Sequence, residues 1–349
     1  MQDISLYKRT FSAASHPTQV FYFKALIMKR IAASLIALIM AIMTVSAQPN
    51  TKLRPDETVL LYADSFEGNT DPVYGKTIKY AGFEMAKDNG ISGPETIPSN
   101  GNIGNISKFA RIDLYFPKKP NGQMIVICPG GGYAIVSSYN EGVYAAAWML
   151  ERGITVCVVK YRLPNGNCTV PHEDVENAFR YCRAHAEEWG VKQIGVMGFS
   201  AGGHLAATTS TLWTEQQTRP DFSVLIYPVI TMEVGLTHKG TREKLITEKA
   251  IWKEHISDKY SLEKQVTRFT PPTFLAHCSD DFTVPVENSL RYYNRLIDND
   301  VPAEMHIYPR GGHGWGFNEE KYIGKGKDKF SYAREYYYDA LERWLKDIR

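Results

Sequence analysis

From residue 111 onward the chain alternates short, β-branched apolar runs with stretches of helical spacing. This alternation constrains the fold more than any other feature. Residues 111–116, 124–128, 154–160, 193–197, 224–227, 273–277 and 304–308 read as strands. Residues 141–152, 175–189, 201–212, 286–298 and 330–346 read as helices. Parallel strands need a crossover, and a helix is its usual form. Several runs are apolar at consecutive positions, which suits a sheet covered on both faces. The fold class is therefore α/β, a mostly parallel central sheet with helices on both sides. Ligands in such sheets bind beyond the carboxyl ends of the strands, where the loops gather.

Two segments depart from the alternation. Residues 48–105 carry turn pairs such as Asn89-Gly90 and Ser92-Gly93-Pro94 and read as a peripheral, loop-rich segment. Residues 230–270 are rich in Lys, Glu and Thr, with Trp252, His255 and Tyr260 among them. An insertion there, on the loop face, is expected to be cap-like.

Ahead of the domain stand Met28-Lys29-Arg30, an apolar run over residues 31–45, and small residues ending at Ala47. These are the three parts of a secretory signal peptide. The apolar run falls short of the roughly 20 residues a membrane span needs. Residues 1–47 are thus expected to be leader and signal peptide, with the true start at Met28 and cleavage after Ala47. Residues 48–349 are expected to form one domain, exported across the inner membrane of a bacterium to the periplasm or beyond. No membrane insertion is expected after cleavage, and no cysteine follows the cleavage site to carry a lipid.

Composition narrows the function classes. At 44% hydrophobic and 22% charged residues, the chain is neither disordered nor a coiled coil. The balance of 40 basic against 38 acidic residues offers no electrostatic footprint for nucleic acid. Five cysteines are too few for a disulfide scaffold. Cys128 and Cys157 fall in apolar runs, whereas Cys168 and Cys182 flank a short loop and helix and are a possible pair. No His/Cys cluster points to a metal, and no Gly-Lys-Ser/Thr follows the glycines at 130–132 to make a phosphate loop.

The chemistry concentrates in four places. Gly198-Phe199-Ser200-Ala201-Gly202 lies between an expected strand and an expected helix, the setting in which G-x-S-x-G makes a sharp turn with an exposed serine. Glycines two residues either side remove the clashes such a turn would create. The Ala201 N–H, at a helix start, can face an oxyanion. Pro129-Gly130-Gly131-Gly132-Tyr133 follows an earlier strand, and Gly131 and Gly132 are the candidate further donors. A serine nucleophile needs a base, and the base an orienting acid. His313, flanked by glycines after the last strand, is the candidate base; Asp281 is the candidate acid, with Asp280 as the fallback. The order Ser200, Asp281, His313 differs from either common serine-protease order. His204 reads as a packing or capping residue and His172 as a structural turn before the helix containing Asp174; His238 and His255 lie in the insertion.

Residues 129–133, Tyr161-Arg162-Leu163-Pro164, 198–206, 280–286 and 311–316 together resemble the α/β-hydrolase esterases of the acetylxylan esterase and BD-FAE-like (bacterial feruloyl esterase) group. The resemblance runs from about residue 90 to the C-terminus. It implies an α/β-hydrolase fold, no cofactor and a serine carboxylesterase acting on acylated plant polysaccharide, chiefly acetyl on xylan fragments. It makes Ser200 the nucleophile, His313 the base and Asp281 the acid, with Gly131, Gly132 and Ala201 as the oxyanion hole. Hormone-sensitive-lipase-like esterases have His before the glycines; Pro129 stands there in this chain. Three alternatives remain: a feruloyl esterase, a serine peptidase of the prolyl-oligopeptidase type, and a non-catalytic carbohydrate-binding relative. Tyr133, Trp252 and Trp315 are candidate sugar-binding residues, with core packing as the competing reading. Oligomeric state is left open.

Overall fold

The structure, a computed structural model, describes residues 53–62, 79–98, 101–246, 253–317 and 331–349. The expected leader, its start at Met28 and its cleavage site lie outside the described residues. The strands are β1 (Glu57–Tyr62), β2 (Lys79–Phe83), β3 (Asn102–Gly104), β4 (Arg111–Tyr115), β5 (Gln123–Cys128), β6 (Ile135–Ser137), β7 (Thr155–Lys160), β8 (Gln193–Phe199), β9 (Ser223–Ile226), β10 (Thr273–Cys278) and β11 (Ala303–Tyr308). The α-helices are α1 (Tyr144–Leu150), α2 (Val170–His185), α3 (Ser200–Thr211), α4 (Lys239–Leu245), α5 (Lys253–Lys259), α6 (Glu287–Asp298) and α7 (Ser331–Asp347).

Nine strands make one sheet in the order β11-β10-β9-β8-β5-β7-β4-β1-β2. The six from β11 to β7 are parallel. β4 runs antiparallel to both β7 and β1. All seven strands expected from residue 111 onward lie in this sheet. The segment 48–105 is not mere loop: β1 and β2 extend the sheet edge, and Val59, Leu60, Leu61 and Tyr62 are buried there. Turn signals around these short runs outweigh their apolar pattern, and it is pairing with β4 on one side and β2 on the other that makes β1 a strand.

Helices cover both faces. On one, Ala178 and Phe179 of α2, Leu205 and Ala206 of α3 and Tyr292 and Leu296 of α6 share a core with Val126, Val196 and Leu275. On the other, Trp148 and Met149 of α1 and Tyr337, Leu341 and Trp344 of α7 pack with Ile125, Ile127 and Phe274. α1 is preceded by a π-helical turn, Tyr139–Val143, rather than starting at residue 141 as a regular helix. α2 begins before residue 175, with Pro171 in its first turn, where a missing N–H costs nothing. No described helix is long and apolar enough to cross a membrane.

Buried charges at the β4–β7–β1 side are matched in place. Lys160 pairs with Asp113, which also accepts the Thr58 hydroxyl at 2.8 Å. Arg162 binds Asp174, the Tyr62 hydroxyl at 2.8 Å and the Lys87 carbonyl at 2.7 Å, joining β1 and α2 to the loop after β7. All five cysteines are free thiols. Cys182 faces the sheet beside Cys157, whereas Cys168 lies against Tyr260, so the two considered as a pair point to different neighbours.

Candidate active site

β8 ends at Phe199 in extended backbone, and Ser200 turns into α3 with φ +52°. That left-handed conformation is strained for a residue with a side chain. The flanking glycines are demanded by contact. A Cβ on Gly198 would stand 2.1 Å from the Gly202 carbonyl oxygen, and one on Gly202 2.1 Å from that of Cys128. With the turn so tight, Ser200 Oγ is held at the head of the sheet, 2.8 Å from His313 Nε2.

His313 arrives on the loop after β11. Its Nδ1 lies 2.7 Å from Asp281 Oδ2. A carboxylate only accepts, so Nδ1 carries the hydrogen and Nε2 is left to accept the Ser200 hydroxyl. Asp281 Oδ1 accepts the Thr283 and Val284 amides, each at 2.9 Å. Asp280, the fallback acid, instead accepts the Gly311 and Gly312 amides at 3.2 and 2.7 Å and shapes the histidine loop.

His277 is a partner the sequence reading missed. Its Nε2 is 3.3 Å from Asp281 Oδ2 and 3.0 Å from the Val284 carbonyl, and its Nδ1 is 2.8 Å from the Ser289 hydroxyl. Both neighbours of Nε2 are acceptors, so Nε2 donates and Nδ1 accepts from Ser289. Burial alone would raise the Asp281 pKa. Hydrogen bonds from His277 and His313, the His313 charge and the Val284 amide outweigh it and hold the carboxyl well below the usual range. His277 lies inside a strand run, where a histidine carries no signal of its own.

The glycine loop after β5 shows which amides are free to act. The Gly130 N–H donates to Glu141 Oε2 at 2.7 Å. Gly131 and Gly132 have φ +124° and +63°, and a Cβ on Gly131 would stand 2.3 Å from the Ile135 carbonyl oxygen. Ala201 is in the first turn of α3, whose N–H groups lack intrahelical acceptors and carry the positive end of the helix dipole. With Gly130 engaged, Gly131, Gly132 and Ala201 remain as candidate oxyanion donors.

Glu141 was also missed. It reads as an ordinary acid at a helix start, yet it is buried. Its Oε1 accepts the Tyr227 hydroxyl at 2.9 Å, and that hydroxyl accepts the Gly316 amide at 2.9 Å. The Tyr227 ring lies 4.7 Å from that of His313. Burial raises the Glu141 pKa against the hydrogen bond from Tyr227, the His313 charge and the Gly130 amide. Asn140 adds a hydrogen bond to the Gly314 carbonyl at 3.1 Å. One π-helical turn thereby ties the glycine loop to the histidine loop.

Two of the candidate sugar-binding aromatics are corrected. Tyr133 is 1% exposed, and its hydroxyl donates to His204 Nδ1 at 3.0 Å while His204 Nε2 donates to the Tyr260 carbonyl at 2.8 Å. Burial lowers the His204 pKa to about 4, so the ring is a neutral packing element. Trp315 is 0% exposed and packs on Tyr227 and Tyr337. Neither ring offers a face to a sugar, because both fill the core. Trp252 lies outside the described residues. Phe282, next to Asp281, is by contrast 96% exposed. Among the described residues no group of three His, Cys, Asp or Glu side chains is placed to hold a metal.

The family model described as BD-FAE matches residues 112–296, more than half of the chain. The chain belongs to the BD-FAE family. The BD-FAE span takes in Gly131, Gly132, Ser200 and Asp281, and His313 lies beyond its end. The chain is 37% identical over 243 residues to an acetylxylan esterase of Xylanibacter ruminicola, covering 68% of this chain and 48% of that protein. It is 32% identical over 224 residues to endo-1,4-beta-xylanase B of Butyrivibrio fibrisolvens, covering 59% and 35%. The chain thus spans half or less of the length of these curated relatives. Among solved structures, an acetyl ester-xyloside bifunctional hydrolase from Caldicellulosiruptor lactoaceticus matches with a TM-score of 0.59 at 32% identity, covering 69% of this chain and 88% of that one. This BD-FAE family member has the α/β-hydrolase fold.

Proposed function

We propose that this protein is a serine carboxylesterase that removes acetyl groups from xylan fragments. The observation that carries the reading is the line of hydrogen bonds from Ser200 through His313 to Asp281 at the head of the sheet. Kinship to an acetylxylan esterase supports the choice of substrate. In the proposed cycle His313 Nε2 takes the Ser200 proton as Oγ attacks the ester carbonyl. The carbonyl oxygen gains charge facing the Gly131, Gly132 and Ala201 amides. The bond to the sugar oxygen then breaks, and His313 returns the proton to that oxygen. Water, deprotonated by His313, attacks the acetyl-enzyme. His313 hands that proton to Ser200 Oγ as its bond to the acetyl carbon breaks and acetic acid leaves, ionising to acetate. Asp281 holds the imidazole in the tautomer this needs and steadies its positive charge. The reading places the enzyme outside the cytoplasm, where polysaccharide fragments are met, on the strength of the signal-peptide pattern.

The test is acetate release from acetylated xylo-oligosaccharides by the chain from Gln48, with Ser200→Ala as control. Release that falls on the order of 10⁴-fold or more in the variant is expected. Ferulate release from feruloylated oligosaccharides, without acetate release from the acetylated ones, would move the acyl group to feruloyl. A folded protein that releases neither would turn the reading towards a non-catalytic relative.

A further inference from the structure

The insertion between β9 and β10 brings His238 to the site. His238 Cε1 would be 3.6 Å from a Cβ on Gly132, and among the described residues no other atom outside residues 131–133 lies within 4 Å of that position. Among the described residues the imidazole therefore borders otherwise open space in front of the glycine loop. It also lies within electrostatic reach of His313 and Asp281.

The ring is held in one tautomer and one direction. His238 caps α4, its Nδ1 accepting the Thr241 amide at 3.2 Å and facing the Thr241 hydroxyl at 2.8 Å. Thr241 is fully buried, which anchors the cap. An amide only donates, so Nδ1 carries the lone pair and Nε2 carries the hydrogen. That Nε2–H has no hydrogen-bond partner among the described residues. Partial burial and the nearby His313 lower the ring's pKa, which favours a neutral donor over a second cation.

A half-buried, oriented donor beside a reaction site needs an acceptor. The acetyl methyl has none, and the carbonyl oxygen already faces three backbone amides. An alcohol bearing a free hydroxyl next to the ester oxygen would present one. We propose that His238 is a specificity residue whose Nε2–H binds the hydroxyl adjacent to the ester, so that the enzyme selects partly acylated polyhydroxy alcohols. The proposal rests on the esterase reading but not on xylan as the substrate.

The experiment compares kcat/KM for ethyl acetate, 2-hydroxyethyl acetate and acetylated xylo-oligosaccharides. Asparagine is a strong helix cap but too short to reach, so His238→Asn removes the donor while keeping α4 capped. His238→Gln serves as the longer donor. The wild type is expected to favour 2-hydroxyethyl acetate over ethyl acetate about tenfold, the scale set by one hydrogen bond to a neutral partner. His238→Asn should erase that preference and keep ethyl acetate within about twofold of wild type, and His238→Gln should restore part of it. Equal losses on both small esters, or an intact preference in His238→Asn, would overturn the assignment. Selectivity that depends on His238 without any turnover of xylo-oligosaccharides would keep the assignment and remove xylan. Turnover of xylo-oligosaccharides at an unchanged rate in His238→Asn would do the reverse. A wild type that cleaves the xylo-oligosaccharides but neither small acetate is judged on the oligosaccharides, where an unchanged rate in His238→Asn overturns the assignment. One that cleaves none of the three substrates overturns both readings.

Discussion

Two of the regions in which the molecule buries acids treat them differently. At the β4–β7–β1 side Asp113 and Asp174 lie directly against Lys160 and Arg162. At the head of the sheet Asp281 and Glu141 have no Lys or Arg partner among the described residues; they face amides, hydroxyls and imidazoles. A matched pair has nothing left to act on. A carboxylate held by neutral donors keeps a net charge that a neighbouring imidazole feels, and the imidazole gains stability when it takes a proton. The first arrangement holds strands and helices together; the second suits chemistry.

The largest break in this contrast should come from the two adjacent aspartates. Asp281→Asn should lower kcat by about 10³–10⁴-fold, because the acceptor of the His313 Nδ1 hydrogen is lost. Asp280→Asn should cost about tenfold, since it only loosens the Gly311–Gly312 amides. Equal losses in 4-nitrophenyl acetate assays would show that both act through loop shape. On the matched side, Arg162→Ala should cost about 3–5 kcal/mol of stability by stranding Asp174, with kcat of the folded protein within about threefold. Denaturant unfolding with rates corrected for folded fraction would show this, and a kcat collapse at full stability would break the comparison.

Glu141→Gln sharpens it. The amide can accept from Tyr227 or from Gly130 but sets an N–H against the other donor. We expect kcat to fall about 10–100-fold with KM within about threefold and stability down by about 1–3 kcal/mol. An unchanged kcat would confine Glu141 to packing.

The smallest effect is in acid. The Asp281 carboxyl is depressed in the folded protein, so its charge stabilises the fold above the unfolded value of about 3.9, and this is lost as pH falls below it. The gap in Tm between wild type and Asp281→Asn should be full above about pH 5 and narrow towards pH 2.5. A gap constant over that range would count against a charge-linked role.

Ser200, Asp281 and His313 were legible because each sits in a local pattern: glycines around a turn, or a loop after a strand. His277, Glu141 and His238 were not. A histidine in a strand, a glutamate at a helix start and a histidine in a charged insertion look the same whether or not they reach the site. Tyr133 and Trp315 erred in the opposite direction: they stand beside motifs, but their rings turn into the core.

What the sequence by itself determined is what neighbours along the chain decide. Alternating runs made a parallel sheet, and Gly198 and Gly202 allowed only the sharp turn at Ser200. Tertiary structure decided which groups lose water and which face one another. It made β1 a strand, turned Glu141 into the link between two loops and carried His238 to Gly132. Backbone turns answer to steric limits within a few residues, whereas burial and hydrogen-bond partners depend on segments tens to hundreds of residues away.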